Sequence, residues 1–78
     1  MPELTLYIGK TCPFSRRVLD YLNQHPMPIQ IKDVWSDEKA YQELLTLAGK
    51  SQVPCLKMDK AIVHESLDII EVLKHIQT

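Results

Sequence analysis

The sequence predicts an α/β domain of order βαβαββα, with a mixed four-stranded sheet flanked by helices. Three observations point there. The spacing of apolar residues switches repeatedly between the strand period and the helix period. The chain opens on a strand–helix–strand run, which implies a right-handed crossover and parallel pairing. Two short apolar runs around Asp59-Lys60 read as a hairpin, which implies antiparallel pairing. At 78 residues only about 60% of the unfolded surface can be buried, and one sheet with helices on its faces is the economical way to do it.

Leu4-Thr5-Leu6-Tyr7-Ile8 alternates and is rich in strand formers, so it is the first strand. Gly9-Lys10-Thr11 ends it. Pro13 suits a first helical position, which needs no amide hydrogen. Phe14, Val18, Tyr21 and Leu22 then predict a helix over 13–24. His25-Pro26-Met27-Pro28 stops that helix. Ile29 and Ile31 alternate with Gln30 and Lys32, giving a second strand to about Val34. Ser36 or Asp37 caps the next helix, whose first turn is acidic. Its apolar residues are Ala40, Tyr41, Leu44, Leu45 and Leu47, and Gly49 is its stop. Pro54 to Met58 and Ala61 to His64 are two strands whose turn lacks the usual glycine. Ser66 caps a last helix with Leu67, Ile70, Leu73 and Ile76 on one face.

Composition narrows the function. The chain is 45% hydrophobic and 24% charged, as a folded domain should be, and its net charge is −1. A near-neutral chain has no electrostatic reason to hold nucleic acid. No apolar run approaches the roughly 20 residues that cross a bilayer, so no membrane partner is expected. Met1-Pro2-Glu3 carries no signal-peptide features. Two cysteines are too few for a disulfide-stapled secreted module. The expectation is one domain over 1–78, a cytoplasmic, reduced monomer without a metal. His25, His64 and His75 are not spaced as a metal set and read as surface residues.

Cys12-Pro13-Phe14-Ser15 lies where the first strand hands over to the first helix. If Cys12 is the cap or first residue of that helix, its sulfur faces unsatisfied amide hydrogens. Those amides and the helix dipole favour the thiolate, with Lys10 and Arg16 adding positive potential. Cys55, directly after Pro54, is either a second redox cysteine or a small apolar core residue; its strand position favours the core. Ser15, between these, reads as a helix-surface residue that cannot resolve a mixed disulfide.

The segment Tyr7-Ile8-Gly9-Lys10-Thr11-Cys12-Pro13-Phe14-Ser15 resembles the active-site segment of glutaredoxins. It is equally similar to the N-terminal domains of omega-like glutathione transferases and chloride intracellular channel proteins. Gln52-Val53-Pro54 resembles the Val-Pro segment of both groups, and Glu65-Ser66 the Glu-Ser pair of the transferases. Together they cover nearly the whole chain. Ser15 stands where dithiol glutaredoxins have cysteine, Pro13 where cluster-binding monothiol ones have glycine, Gly9 where most have lysine, and His64-Glu65 where many have Gly-Gly.

The resemblance implies a thioredoxin-like fold, a cis Pro54 and a site for glutathione as cosubstrate. Cys12 is the nucleophile it implies. Lys10, Phe14, Val53, Pro54, Glu65 and Ser66 are the glutathione-binding residues, and Asp68 is a further candidate for the γ-glutamyl ammonium. The implied activity is glutathione-dependent thiol–disulfide exchange by a monothiol route on glutathionylated or disulfide-containing substrates. The chain stops at Thr78 without a helical second domain, which favours exchange over transfer to electrophiles. The alternatives are an iron–sulfur module ligated by Cys12 and glutathione, and a non-catalytic glutathione-binding domain. Trp35 is either a packing residue or part of the glutathione groove.

Overall fold

The computed structural model describes residues 3–59 and 61–77. Four strands and three helices follow the predicted order: β1 Leu4–Ile8, α1 Pro13–Gln24, β2 Gln30–Asp33, α2 Glu38–Ala48, β3 Cys55–Met58, β4 Ala61–Val63 and α3 Ser66–Gln77. The sheet order is β2-β1-β3-β4. β1 runs parallel to β2 and antiparallel to β3, and β3 runs antiparallel to β4. This is the thioredoxin-like arrangement.

The two faces of β1 build two cores. Leu4, Leu6 and Ile8 pack with Leu56 against Val18 and Leu22 of α1 and Ile69 and Leu73 of α3. Tyr7 on the opposite face packs with Val34, Cys55, Ala40 and Leu44. All of β1 is buried, including Thr5 and Tyr7. The alternation in its sequence therefore separates two cores, rather than core from water. β2 is an edge strand, and its Ile31 stays 46% exposed.

Several local expectations hold for the stated reasons. Asp37 rather than Ser36 caps α2, accepting from the N–H groups of Lys39 and Ala40. Gly49 closes α2 in the left-handed region at φ 74°. The glycine-free turn after β3 is accommodated by Asp59, which takes φ 52°; its partner Lys60 lies outside the described residues. Val34 follows β2 but still donates its N–H to the Ile8 carbonyl at 2.9 Å.

Other expectations are corrected. Ser66 is the first residue of α3, not its cap. The Glu65 carbonyl accepts the first helical bond, from the Ile69 N–H at 2.8 Å. α3 buries Ile69 and Leu73, with Ile70, Val72 and Ile76 beside them, while Leu67 is 62% exposed. At 3.6 residues per turn Leu67 falls on the side of α3 opposite Ile69, Leu73 and Ile76, so it faces away from the core. Leu47 is a rim residue at 38% exposure. β4 ends at Val63, one residue before the predicted His64.

Candidate active site

β1 delivers the chain to a turn closed by the Cys12 N–H donating to the Gly9 carbonyl at 3.0 Å. Cys12 then occupies the N-cap of α1 in an extended conformation, with Pro13 behind it at the first helical position. The Cys12 carbonyl accepts the first helical bond, from Arg16 at 2.9 Å. The first turn of α1 contains no acidic residue. α2 and α3 carry Glu38 and Asp68 in theirs. The positive end of α1 is thus left without a compensating carboxylate, and the Cys12 sulfur is the group placed to use it.

The Cys12 side chain closes no capping hydrogen bond. Burial by itself pushes the thiol up. The Ser15 N–H, the Ser15 hydroxyl and the Phe14 N–H face the sulfur and outweigh that effect, holding the thiol below its ordinary value. These donors all belong to the first turn of α1. Lys10 and Arg16, expected to help, are exposed side chains and are not among them.

Ser15 is a correction. It is fully buried, not a surface residue, and its Oγ accepts the Gly9 N–H at 3.1 Å. Phe14, expected on the apolar face of α1, is instead 56% exposed. Arg17 rather than Arg16 comes to it, with its guanidinium 5.9 Å from the ring centroid.

The Cys12 sulfur lies 3.9 Å from the Val53 carbonyl, across 41 residues of sequence. The Val53-Pro54 bond is cis, as the resemblance implied. Beside this contact a cleft of about 120 Å³ is lined by Phe14, Gln52, Val53, Pro54, His64, Glu65 and Ser66. Five of the predicted binding residues therefore meet in one place. Lys10 does not join them; it is exposed on the turn before Cys12 and does not line the cleft. Glu65 is exposed at the helix end and Ser66 is buried beneath it.

Reading the sequence missed Gln52 and His64. Both flank predicted residues directly, and that adjacency was the available signal. His64 is half-buried rather than a surface residue, and its Nδ1 is buried without a hydrogen-bond partner among the described residues.

Cys55 is a core residue, 1% exposed and paired with Tyr7 across β1 and β3. Burial pushes its thiol up to about 11, against a small lowering by the Lys50 charge. Both cysteines are free.

Trp35 packs against Gly9 and is 55% exposed. A Cβ on Gly9 would come within 2.5 Å of the Trp35 ring, so the indole lies where a side chain would stand. Asp33 fixes this turn, accepting from the Trp35 N–H and the Ser36 hydroxyl at 3.0 Å each. The indole thus fills the space that a side chain at position 9 would enter.

Comparisons with known proteins agree with this geometry. The family described as "Glutathione S-transferase, N-terminal domain" matches residues 6–78. Glutathione transferase Omega 3C from Trametes versicolor is 28% identical with a TM-score of 0.79, over 95% of this chain and 33% of that one. A glutathione transferase homologue from Drosophila mojavensis, solved with bound glutathione, is 26% identical with a TM-score of 0.78, over 96% of this chain and 35% of that one. The chain thus spans about a third of these transferases. A glutaredoxin from Archaeoglobus fulgidus shares the fold, with a TM-score of 0.75 at 18% identity, over 95% of this chain and 88% of that one. No curated protein sequence matches the chain.

Proposed function

The chain belongs to the glutathione S-transferase N-terminal domain family, and from that premise we propose that it is a glutathione-dependent thiol–disulfide oxidoreductase using one cysteine. The observation that carries this reading is the position of the Cys12 sulfur. It sits at the donor-rich end of α1, 3.9 Å from the Val53 carbonyl, beside a cleft that runs to Glu65 and Ser66.

In this reading glutathione lies extended along the cleft. Val53 offers its backbone to the cysteinyl residue in strand-like pairing. The end of α3, with Glu65 and Ser66, takes the amino-acid end. The bound glutathione of the Drosophila mojavensis relative supports this ligand.

The reaction has two exchanges. The Cys12 thiolate attacks the glutathione sulfur of a mixed disulfide. A new Cys12–glutathione disulfide forms, the old sulfur–sulfur bond breaks, and the substrate leaves as a thiolate that takes a proton from water. A second glutathione, as thiolate, then attacks the glutathione sulfur on Cys12. Glutathione disulfide leaves and the Cys12 thiolate is restored. The sum is one mixed disulfide and one glutathione thiol giving one substrate thiol and one glutathione disulfide, so the reducing equivalent comes from the second, attacking glutathione alone.

Ser15 supports the one-cysteine route because a hydroxyl cannot displace a disulfide. The core position of Cys55 supports it too, since a buried thiol pushed up to about 11 is a poor nucleophile at neutral pH.

The test is turnover of a small glutathione mixed disulfide, coupled to reduction of the glutathione disulfide produced. Wild type should turn over and Cys12→Ser should be inactive. Activity in Cys12→Ser equal to wild type would overturn the reading.

A further inference from the structure

We propose that a second cleft, between α2 and the sheet, binds a small organic phosphate monoester through the Tyr7 hydroxyl and the Lys39 and Lys57 ammonium groups. This cleft has a volume of about 560 Å³ and shares no lining residue with the one beside Cys12. Its size is that of small-molecule sites.

The register of the sheet assembles one wall. Tyr7 stands opposite Lys32 on β2 and Cys55 on β3, and Thr5, two residues earlier, stands opposite Lys57. Side chains two apart on a strand share a face, so Tyr7, Lys32 and Lys57 project to the same side of the sheet. The other wall is a polar stripe of α2. Lys39, Gln42, Glu43 and Thr46 follow one another at helical spacing, with Leu47 at the rim.

Tyr7 brings an unpartnered hydroxyl. The residue is 2% exposed and lines the cleft. Its hydroxyl makes no hydrogen bond among the described residues, yet it is not sealed. The only unpaired side-chain nitrogen or oxygen shut off from solvent among them is His64 Nδ1. The little of Tyr7 that stays open therefore includes its oxygen, and a ligand in the cleft reaches it. Burial, and then the Glu43 charge, hold the phenol above its ordinary value against the Lys32 charge. The hydroxyl is thus a donor at neutral pH, and donors this deep are nearly always paired.

Charge selects the ligand. Lys32 is spent on Glu43, at 2.7 Å. Lys39 and Lys57 have no carboxylate partner among the described residues, so the cleft carries two uncompensated positive charges. A phosphate monoester is close to a dianion at about pH 7 and offers three acceptor oxygens. It satisfies both ammonium groups and the hydroxyl at once, whereas a carboxylate leaves one charge over. Lysine suits phosphate as a point charge. Leu47 gives the organic part an apolar contact.

The experiment titrates isotope-labelled protein with phenyl phosphate, benzoate and inorganic phosphate, following amide resonances in wild type, Tyr7→Phe, Lys39→Gln and Lys74→Gln. Phenyl phosphate should shift the amides of Lys39, Gln42, Thr46 and Lys57 and bind more tightly than either other anion. Tyr7→Phe keeps the ring in the core and should weaken binding by about tenfold, the scale of one hydrogen bond to a charged group. Lys39→Gln, on the exposed side of the cleft, should weaken it several-fold. Lys74→Gln, on α3, should leave it unchanged.

Undiminished binding in Tyr7→Phe would overturn the proposal. Benzoate or inorganic phosphate binding as tightly as phenyl phosphate would overturn the ligand class. No binding of phenyl phosphate by folded wild type would overturn it outright, and each of these results leaves the glutathione reading standing.

Discussion

The Ser15 hydroxyl accepts the Gly9 N–H at 3.1 Å and at the same time faces the Cys12 sulfur. The hydroxyl accepts from Gly9 through its oxygen and has its own O–H free to donate toward the sulfur. The end of β1 and the first turn of α1 are joined through this one buried oxygen. The residue that removes a second cysteine from the motif also tunes the cysteine that remains.

Ser15→Ala removes that donor and strands the buried Gly9 N–H. The Cys12 thiol should move up, toward its ordinary value, and the fold should lose about 1–3 kcal/mol. The pH dependence of iodoacetamide alkylation measures the first effect, and urea unfolding the second. An unchanged alkylation profile would show that Ser15 does not tune the sulfur.

Cys55→Ala should keep most of the turnover while Cys12→Ser keeps none. The core cysteine contributes packing, and its replacement by a slightly smaller side chain should lower stability by about 1 kcal/mol. Equal loss of activity in the two variants would establish a two-cysteine mechanism.

Stability should fall as pH rises through the alkaline range, because of Cys55. Its folded value, about 11, is raised, so the folded protein keeps a proton that the unfolded chain releases earlier. The contribution is fully present below the ordinary cysteine range and is lost as pH climbs through about 11, and it amounts to about 3 kcal/mol. Cys12 acts with the opposite sign. Its lowered value stabilises the fold above the ordinary range, and that contribution is lost as pH falls through the folded value. Urea midpoints at about pH 8 and about pH 11 should differ less in Cys55→Ala than in wild type.

Gly9→Ala should displace the indole of Trp35, which leaves no room for a Cβ. The expected cost is about 1–3 kcal/mol in wild type and much less in a Trp35→Ala background. Trp35 is the single tryptophan, so its fluorescence reports the displacement directly. A full cost in both backgrounds would locate the strain elsewhere.

The order of the elements was legible because each boundary has a local chemical cause. Pro13 opens α1, two prolines follow its end, Asp37 caps α2 and Gly49 terminates it. The cleft was largely legible too, since Phe14, Val53, Pro54, Glu65 and Ser66 come from motifs that resemble known sites. What the sequence withheld depends on tertiary neighbours. Ser15 reads as a small polar helix residue, and only the approach of Gly9 makes it a buried acceptor. Leu67 steps by threes to Ile70 and Leu73, but the buried stripe of α3 is centred on Ile69 and Leu73, and Leu67 falls on the opposite side. The indole over Gly9 joins residues that are distant in sequence and carries no local signature. His64 was unreadable for the same reason, since its burial depends on neighbours distant in sequence.

The strand order gives the two ends of the cleft unequal footing. The sulfur end rests on β1 and on the loop entering β3, the two interior strands, whereas His64 and Glu65 follow β4, an edge strand of three residues. Opening motions start where ladders are shortest. Unzipping β4 alone would loosen the His64 to Ser66 side of the cleft and leave Cys12 with its first-turn donors undisturbed. Under the proposed function, glutathione disulfide would then leave by peeling from that side, without dismantling the surroundings of the sulfur.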